Sequence, residues 1–377
     1  MSEIYLDANA SAPLRPEARL AILGALDLGP GNPSSPHGAG RRLRKVLGDA
    51  REAVAALVGA RPGEVVFTSG ATEANALAVL GFLAQSTGPF VTTRAEHSSI
   101  ARLADRAETA GRVVRRAGVD RFGRFDGAEI VRFSAGAALV AATLAEPVTG
   151  AIEPIADVAH RLGGAPLHVD AAQAVGRIAV ARDALGAASV ALSAHKIGGP
   201  LGVGALVLRE GAGWRNPFGD ATQELGRRAG TEAVALAAGF GAAAAAVRER
   251  GAEEAVRMAA VLAPLFELVA ALPGGEILSP RENALPNTVL VAFDGCRGDA
   301  LMAALDVRGL RVSTGSACAS GARVPPEVLL AGGHGREMAA RAVRISVAWN
   351  TSSDEILVLT HVLREVVARV RDAGPTS

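Results

Sequence analysis

Apolar residues recur at helical spacing over 16–28, 40–59, 73–85, 98–110, 153–162, 232–248 and 252–271, and between them lie short apolar runs at 64–68, 89–92, 138–145, 165–169, 188–193 and 203–208. A period near 3.6 predicts helices, and a short apolar run bounded by turn residues predicts a buried strand. Their alternation predicts an α/β fold: a mainly parallel sheet with helices on both faces. After Pro273-Gly274-Gly275 the texture changes to strand 287–293, helix 298–307, a Gly/Ser-rich loop at 313–321, strand 343–347 and a last helix at 353–371, which predicts a smaller α+β domain. The expected division is 15–255 for the large domain, and 1–14 with 256–377 for the small one. The alanine run at 242–246 reads as helix, because Ala is the best helix former.

Composition narrows the class. A chain of 377 residues, 49% of them hydrophobic and with a net charge of +1, has material for a large core and no basic surplus to draw nucleic acid. The start, MSEIYLDANASAPLRPE, lacks the basic flank and apolar run of a leader, and no apolar stretch is long enough to span a bilayer. A cytoplasmic protein without a membrane partner is therefore expected. Two cysteines, Cys296 and Cys318, make a disulfide framework improbable and leave each as either a buried small hydrophobe or a reactive thiol. Cys296, in a turn before a helix, reads as the structural one.

Of the 39 basic residues only two, Lys45 and Lys196, are lysines. Where Arg serves almost every cationic position, a retained Lys points to chemistry a guanidinium cannot do: a buried amine can lose its proton and attack a carbonyl to form an imine. Lys45, inside Arg41-Arg42-Leu43-Arg44-Lys45, reads as a solvated helix face. Lys196 instead ends the strand-like Val190–Lys196 (VALSAHK), before Gly198-Gly199-Pro200. In open α/β sheets ligands bind beyond the carboxyl ends of strands.

Three more predicted strands end in chemistry. Pro166–Val169 runs into Asp170-Ala-Ala-Gln173, where a carboxylate can pair with the pyridinium nitrogen of pyridoxal phosphate (PLP) and Gln173 can donate to its phenolate oxygen; the alternative is that Asp170 caps the next turn. Strand 64–68 leads into Ser69-Gly70-Ala71-Thr72-Glu73 and a helix, a phosphate cradle in form, though ordinary helix caps look the same. Glu96-His97-Ser98-Ser99 follows strand 89–92, and His97 is either a stacking partner for a planar cofactor or a structural histidine.

Together with these segments, YLDANASAP (5–13), GNPSSPH (31–37), TSGATEAN (68–75), EHS (96–98), HVDAAQ (168–173), SAHK (193–196), RAGT (228–231), LPNT (285–288), STGSAC (313–318) and RIS (344–346) give the chain an end-to-end resemblance to the cysteine desulfurases of the class V aminotransferase group. These are PLP enzymes of fold type I that take sulfur from L-cysteine and leave alanine. The resemblance implies a large domain on a mainly parallel sheet of the seven-stranded type, plus a small domain carrying the catalytic cysteine loop. It implies that Lys196 carries PLP as a Schiff base, that Asp170, Gln173 and His97 contact the ring, and that Ala71, Thr72, Ser193 and His195 hold the phosphate. Thr231 would reach across from the second subunit of a homodimer. Asn32 and Arg344 would bind the substrate carboxylate, and a guanidinium fork suits that planar group. Cys318 would take the sulfur as a persulfide and pass it to an acceptor or scaffold protein. The 26 positions from Cys318 to Arg344 resemble the branch serving iron–sulfur cluster assembly and tRNA thiolation. No resident metal is implied, although Cys318 could ligate a cluster iron in transit.

Three segments depart from the family pattern. Glu146-Pro147-Val148-Thr149-Gly150 stands for Asn-Asn-Glu-x-Gly, so Pro147 replaces an Asn that helps hold the phenolate. Asp220–Gly226 (DATQELG) replaces Gly-Gly-Gly-Gln-Glu-Arg-Gly, and Asp7–Ala12 (DANASA) replaces Asp-Asn-Asn-Ala-Thr-Thr. The alternatives to a cysteine desulfurase are a related PLP lyase, such as a selenocysteine lyase, and a degenerate homologue serving as a binding or scaffold protein.

Overall fold

The buried runs of the sequence lie side by side in one sheet. In the computed structural model, which describes residues 3–220, 222–315 and 325–372, the order is Val65–Thr68, Gly204–Leu208, Ser189–Ser193, Leu167–Asp170, Leu139–Thr143, Phe90–Thr93 and Val114–Ala117. Gly204–Leu208 runs antiparallel to both neighbours and every other pairing is parallel. The central parallel strands are buried throughout, as sheets covered on both faces require.

Register brings the chemistry to one edge. Thr143 pairs with Asp170 and Asp170 with Ala191, while Gly204 pairs with both Thr68 and Ser193. A Cβ on Gly204 would lie 2.5 Å from the Leu192 carbonyl oxygen and 2.7 Å from Gly70 Cα. Only glycine lets the loop after Val65–Thr68 close against the strand that ends near Lys196.

The seventh strand, Val114–Ala117, is missing from the sequence reading. It is an edge strand with Arg115 and Arg116 at its centre, and Arg116 pairs with Asp105 and Glu108, so no apolar run marks it. The helix Gly127–Phe133 and the short strands Ile4–Tyr5, Gly275–Ile277 and Leu310–Arg311 were also not anticipated. The helices expected at 232–248 and 252–271 are one, Val234–Ala271, with Pro264 inside it. Gly251, between the two expected helices, packs over Val247 and continues the helix.

That helix joins two hydrophobic cores. Ala237, Phe240, Ala243, Ala244 and Val247 pack with the large sheet, whereas Met258, Val261, Leu262, Leu265 and Val269 pack with Ile4, Leu6 and the C-terminal helix Ser353–Asp372. The second core lies against the antiparallel sheet Val343–Ser346, Thr288–Phe293, Gly275–Ile277 and against the helix Gly298–Val307. Among the described residues no helix is long and apolar enough to cross a membrane.

Candidate active site

Lys196 closes a single helical turn, Ala194–Lys196, directly after the strand Ser189–Ser193. Its Nζ donates to the backbone carbonyls of Asn9 and, at 3.0 Å, Ala10. No carboxylate among the described residues forms an ion pair with it. Burial, and then the Arg177 and Arg344 guanidinium groups, push the amine down to about 8. At pH 7.5 roughly a quarter of such amines are unprotonated, against about one in a thousand for an ordinary lysine. Lys45, by contrast, is exposed and pairs with Asp49 one turn on.

Asp170 ends the strand Leu167–Asp170. Oδ1 accepts from the Ala172 N–H at 3.0 Å, so the capping alternative is realised, and Oδ2 accepts from Asn75 Nδ2 at 2.7 Å. Asn75, fully buried in the helix Ala71–Leu83, also meets Ser99 Oγ at 2.8 Å and His168 Nε2 at 2.9 Å. His168 Nδ1 lies 2.8 Å from Ser189 Oγ, and burial pushes the imidazole down to about 4. His97 caps the helix Ser98–Thr109: its Nδ1 lies 2.8 Å from Ser99 Oγ and accepts from the Ser99 N–H at 3.2 Å.

The helix Ala71–Leu83 starts at Gly70 without a side-chain cap, which leaves backbone N–H groups and the exposed Thr72 at its positive end. Glu73 in its first turn accepts from Ser69 N–H at 2.5 Å and from Arg228 Nε at 2.9 Å. Across Gly204, Ser193 is buried, and His195 follows with Nδ1 buried and unpartnered. Burial, then Lys196 and Arg177, push His195 down to about 4.

Gln173 is gripped at both ends of its amide. Nε2 donates to the Asn9 carbonyl at 2.9 Å, and Oε1 accepts from Arg177, a buried guanidinium pushed down to about 9 by burial and then by Arg344. One Nε2 proton is left over. Arg344, also buried, donates to Asp7 at 2.5 Å and to the Pro147 carbonyl at 3.2 Å, and its Nε has no partner. Asn9 ties the two units together, donating to the Pro147 carbonyl, Thr288 Oγ1 and Ser346 Oγ and accepting from Asn287.

Not every expected residue joins this cluster within one chain. Asn32 spends its side-chain oxygen on the Ser34 N–H in an exposed loop, and Thr231 is exposed ahead of the helix Val234–Ala271. Glu146, next to the substituted Pro147, accepts from the Val148 and Thr149 N–H groups. Cys318 lies outside the described residues. Cys296 is buried with Sγ toward the Val367 carbonyl, and burial raises its thiol.

The sequence reading missed Asn75, His168 and Arg177. The available signal was polar residues in otherwise buried segments: an Asn inside ATEANALAVLGFL and a His inside LHVD. Beneath the site Glu96 accepts from Thr93 and Thr143 and is pushed up to about 7 by burial, with Asp170 adding to it. Glu153 is pushed up to about 9, by burial first and by Glu96, Glu146 and Asp120 besides.

An amine that is partly unprotonated near neutral pH, an uncapped helix start, a buried acceptor pair on Asp170 and orphaned nitrogens on His195 and Arg344 make a donor set suited to an aldehyde-bearing, phosphorylated ring and a carboxylate. The fold and this donor set suit a transferase built around such a cofactor. Residues 4–359 match the family model for class-V aminotransferases, and the chain belongs to that family. Within it the full-length likeness is to cysteine desulfurases: the chain is 40% identical to the cysteine desulfurase of Cereibacter sphaeroides, over 100% of this chain and 98% of that one. Among solved structures, a NifS-like protein superposes with a TM-score of 0.90 at 29% identity, covering 97% of this chain and all of the other. A structure described as SspA in complex with cysteine matches at a TM-score of 0.80 and 26% identity, over 92% and 99% of the two chains.

Proposed function

We propose that this chain is a PLP-dependent cysteine desulfurase, acting as a cytoplasmic homodimer that moves the sulfur of L-cysteine to Cys318 and on to an acceptor or scaffold protein for iron–sulfur or thio-cofactor synthesis. The observation that carries the reading is Lys196: one of two lysines in the chain, half-buried just beyond a strand end, unpaired with any carboxylate among the described residues and held near a pKa of 8. Bound PLP supplies an electron sink for the bonds at the substrate's α-carbon.

The chain's own residues do the rest. Lys196 offers a neutral amine, oriented by the Asn9 and Ala10 carbonyls. Asp170 would hold the ring nitrogen protonated, and the spare Gln173 proton would meet the phenolate oxygen. The start of the helix Ala71–Leu83, with Thr72, Ser193 and His195, would receive the phosphate, joined by Thr231 of the second subunit. Arg344, with its free Nε, would take the substrate carboxylate beside Asn32. Cys318 would attack the substrate sulfur: an S–S bond forms as the Cβ–S bond breaks, and the electron pair left on Cβ takes a proton to give alanine. The likeness to cysteine desulfurases and to a cysteine-bound structure supports this substrate.

The test is the absorption spectrum of the purified protein before and after L-cysteine. A yellow protein whose spectrum changes with cysteine is expected, with alanine formed and, when a thiol reductant is supplied to cleave the Cys318 persulfide, sulfide released in step. Lys196→Ala and Lys196→Arg should both lose covalent cofactor, since Arg keeps the charge but not the nucleophile. Covalent PLP retained in Lys196→Ala would overturn the assignment.

A further inference from the structure

We propose that Asn75 is a positioning residue for both neighbours of the cofactor ring, presenting donors to Asp170 and, through Ser99, committing neutral His97 to the tautomer with its proton on Nε2. The proposal rests on the reading that Asp170 and His97 face the cofactor, but its content is the direction of five hydrogen bonds.

An ionised carboxylate only accepts. The end of the Asn75 amide 2.7 Å from Asp170 Oδ2 is therefore the NH2, and its second proton goes to Ser99 Oγ at 2.8 Å. The amide oxygen then faces His168 Nε2 at 2.9 Å and requires a proton there. His168, kept neutral by burial, is left with a bare Nδ1, which accepts from the Ser189 hydroxyl at 2.8 Å. Ser99 cannot point its single hydroxyl proton back at an NH2, so it donates to His97 Nδ1 at 2.8 Å, where the Ser99 backbone N–H also points from 3.2 Å. Two donors at Nδ1 leave the proton of the neutral ring on Nε2.

All the hydrogen-bonding capacity used in this relay is directional, and every polar atom of the buried Asn75 amide is engaged. One side chain thus sets the donor pattern at Asp170 and at His97 together. A neutral ring so committed carries its N–H, and not a lone pair, at Nε2.

The experiment is nitrogen-15 NMR of the full-length protein with labelled histidine, the His97 signal being assigned by its loss in His97→Gln. The parent at about pH 8 should show Nε2–H at both His97 and His168. Asn75→Leu, which keeps the branched shape, should release His168 to a tautomer mixture, shift the His97 signals and weaken PLP binding by about tenfold, the worth of a hydrogen bond to a charged group. Ser99→Ala should disturb His97 while leaving His168 unchanged, and Ser99→Thr should restore the parent pattern. An Nδ1–H tautomer at His97 in the parent, or a His97 signal unmoved in Ser99→Ala, overturns the proposal even if Asn75→Leu does not fold. Repeating the measurement on cofactor-stripped protein separates the two readings: Nε2–H at both rings supports the relay whether or not L-cysteine yields sulfide.

Discussion

His168 makes acid stability a direct report on the buried relay. The imidazole is held neutral in the folded state, where burial lowers its pKa from 6.5 to about 4. For a group whose folded pKa is depressed, the contribution is fully present above the unfolded value near 6.5 and is lost as pH falls through the folded value. Over that window the unfolded chain takes up a proton that the folded chain refuses. Each pH unit costs about 1.4 kcal/mol, so the whole window is worth about 3 kcal/mol and pH 5 already forfeits about 2 kcal/mol. Below about pH 4 both states are protonated and the term is flat. His168→Gln replaces the ring with an amide that can still donate toward Asn75 and accept from Ser189 but cannot titrate. The variant should be less stable than the parent at pH 7.5, by about 1–2 kcal/mol for imperfect packing, and the gap should close by about 2 kcal/mol on going to pH 5. Urea unfolding at a series of pH values measures both proteins; contributions from His195, Glu96 and Glu153 are common to the two and cancel in the difference. Parallel stability curves for the two proteins would refute the argument that His168 is neutral in the fold.

Three further outcomes are expected. Glu153 titrates with the opposite sign: its folded pKa is raised from 4.5 to about 9, by burial first and neighbouring carboxylates besides, so its contribution is present below pH 4.5 and lost as pH rises through 9. Glu153→Gln should gain on the parent by up to ~1 kcal/mol per pH unit between those limits in the same unfolding assay. Cys318→Ala should still perturb the cofactor spectrum with L-cysteine but release no sulfide, while Cys296→Ala, buried against Val367, should keep full sulfide release at a cost of about 1 kcal/mol in stability. Pro147→Asn, compared with Pro147→Ala to control for backbone freedom, should tighten PLP by about one decade in a binding titration, because only Asn supplies a side-chain donor; equal affinities would mean that position 147 does not face the cofactor.

What the sequence made legible was the part written in repeated signals. Buried parallel strands are continuous apolar runs, and each run ended in polar residues that register then placed on one edge: Thr68, Ser193 and Asp170 lie within two strands of Gly204. Edge elements carry no such signal. Val114–Ala117 has arginines where a central strand would have valines, and the helices expected at 232–248 and 252–271 run on as one, with Gly251 packed over Val247. The relay was hidden for a related reason. Asn75 and His168 sit in segments whose periodicity is set by their apolar neighbours, and only the fold shows that their polar atoms face one another across 93 residues.

The departure at Pro147 illustrates how far substitution patterns can be read without geometry. Counting side-chain donors, the sequence implied the loss of one donor at the cofactor. In the fold Glu146 is consumed by the Val148 and Thr149 amides of its own turn, and what position 147 contributes is its carbonyl oxygen, shared by Asn9 and Arg344. A carbonyl is available from any residue, proline included, and proline has no N–H for the turn to satisfy. The substitution therefore leaves intact the acceptor that orients Asn9, whose own carbonyl holds Gln173 and Lys196. On the proposed function, the same position would lose a donor toward the cofactor and still keep the amine in place, so Lys196 and not residue 147 would decide whether the site can carry PLP.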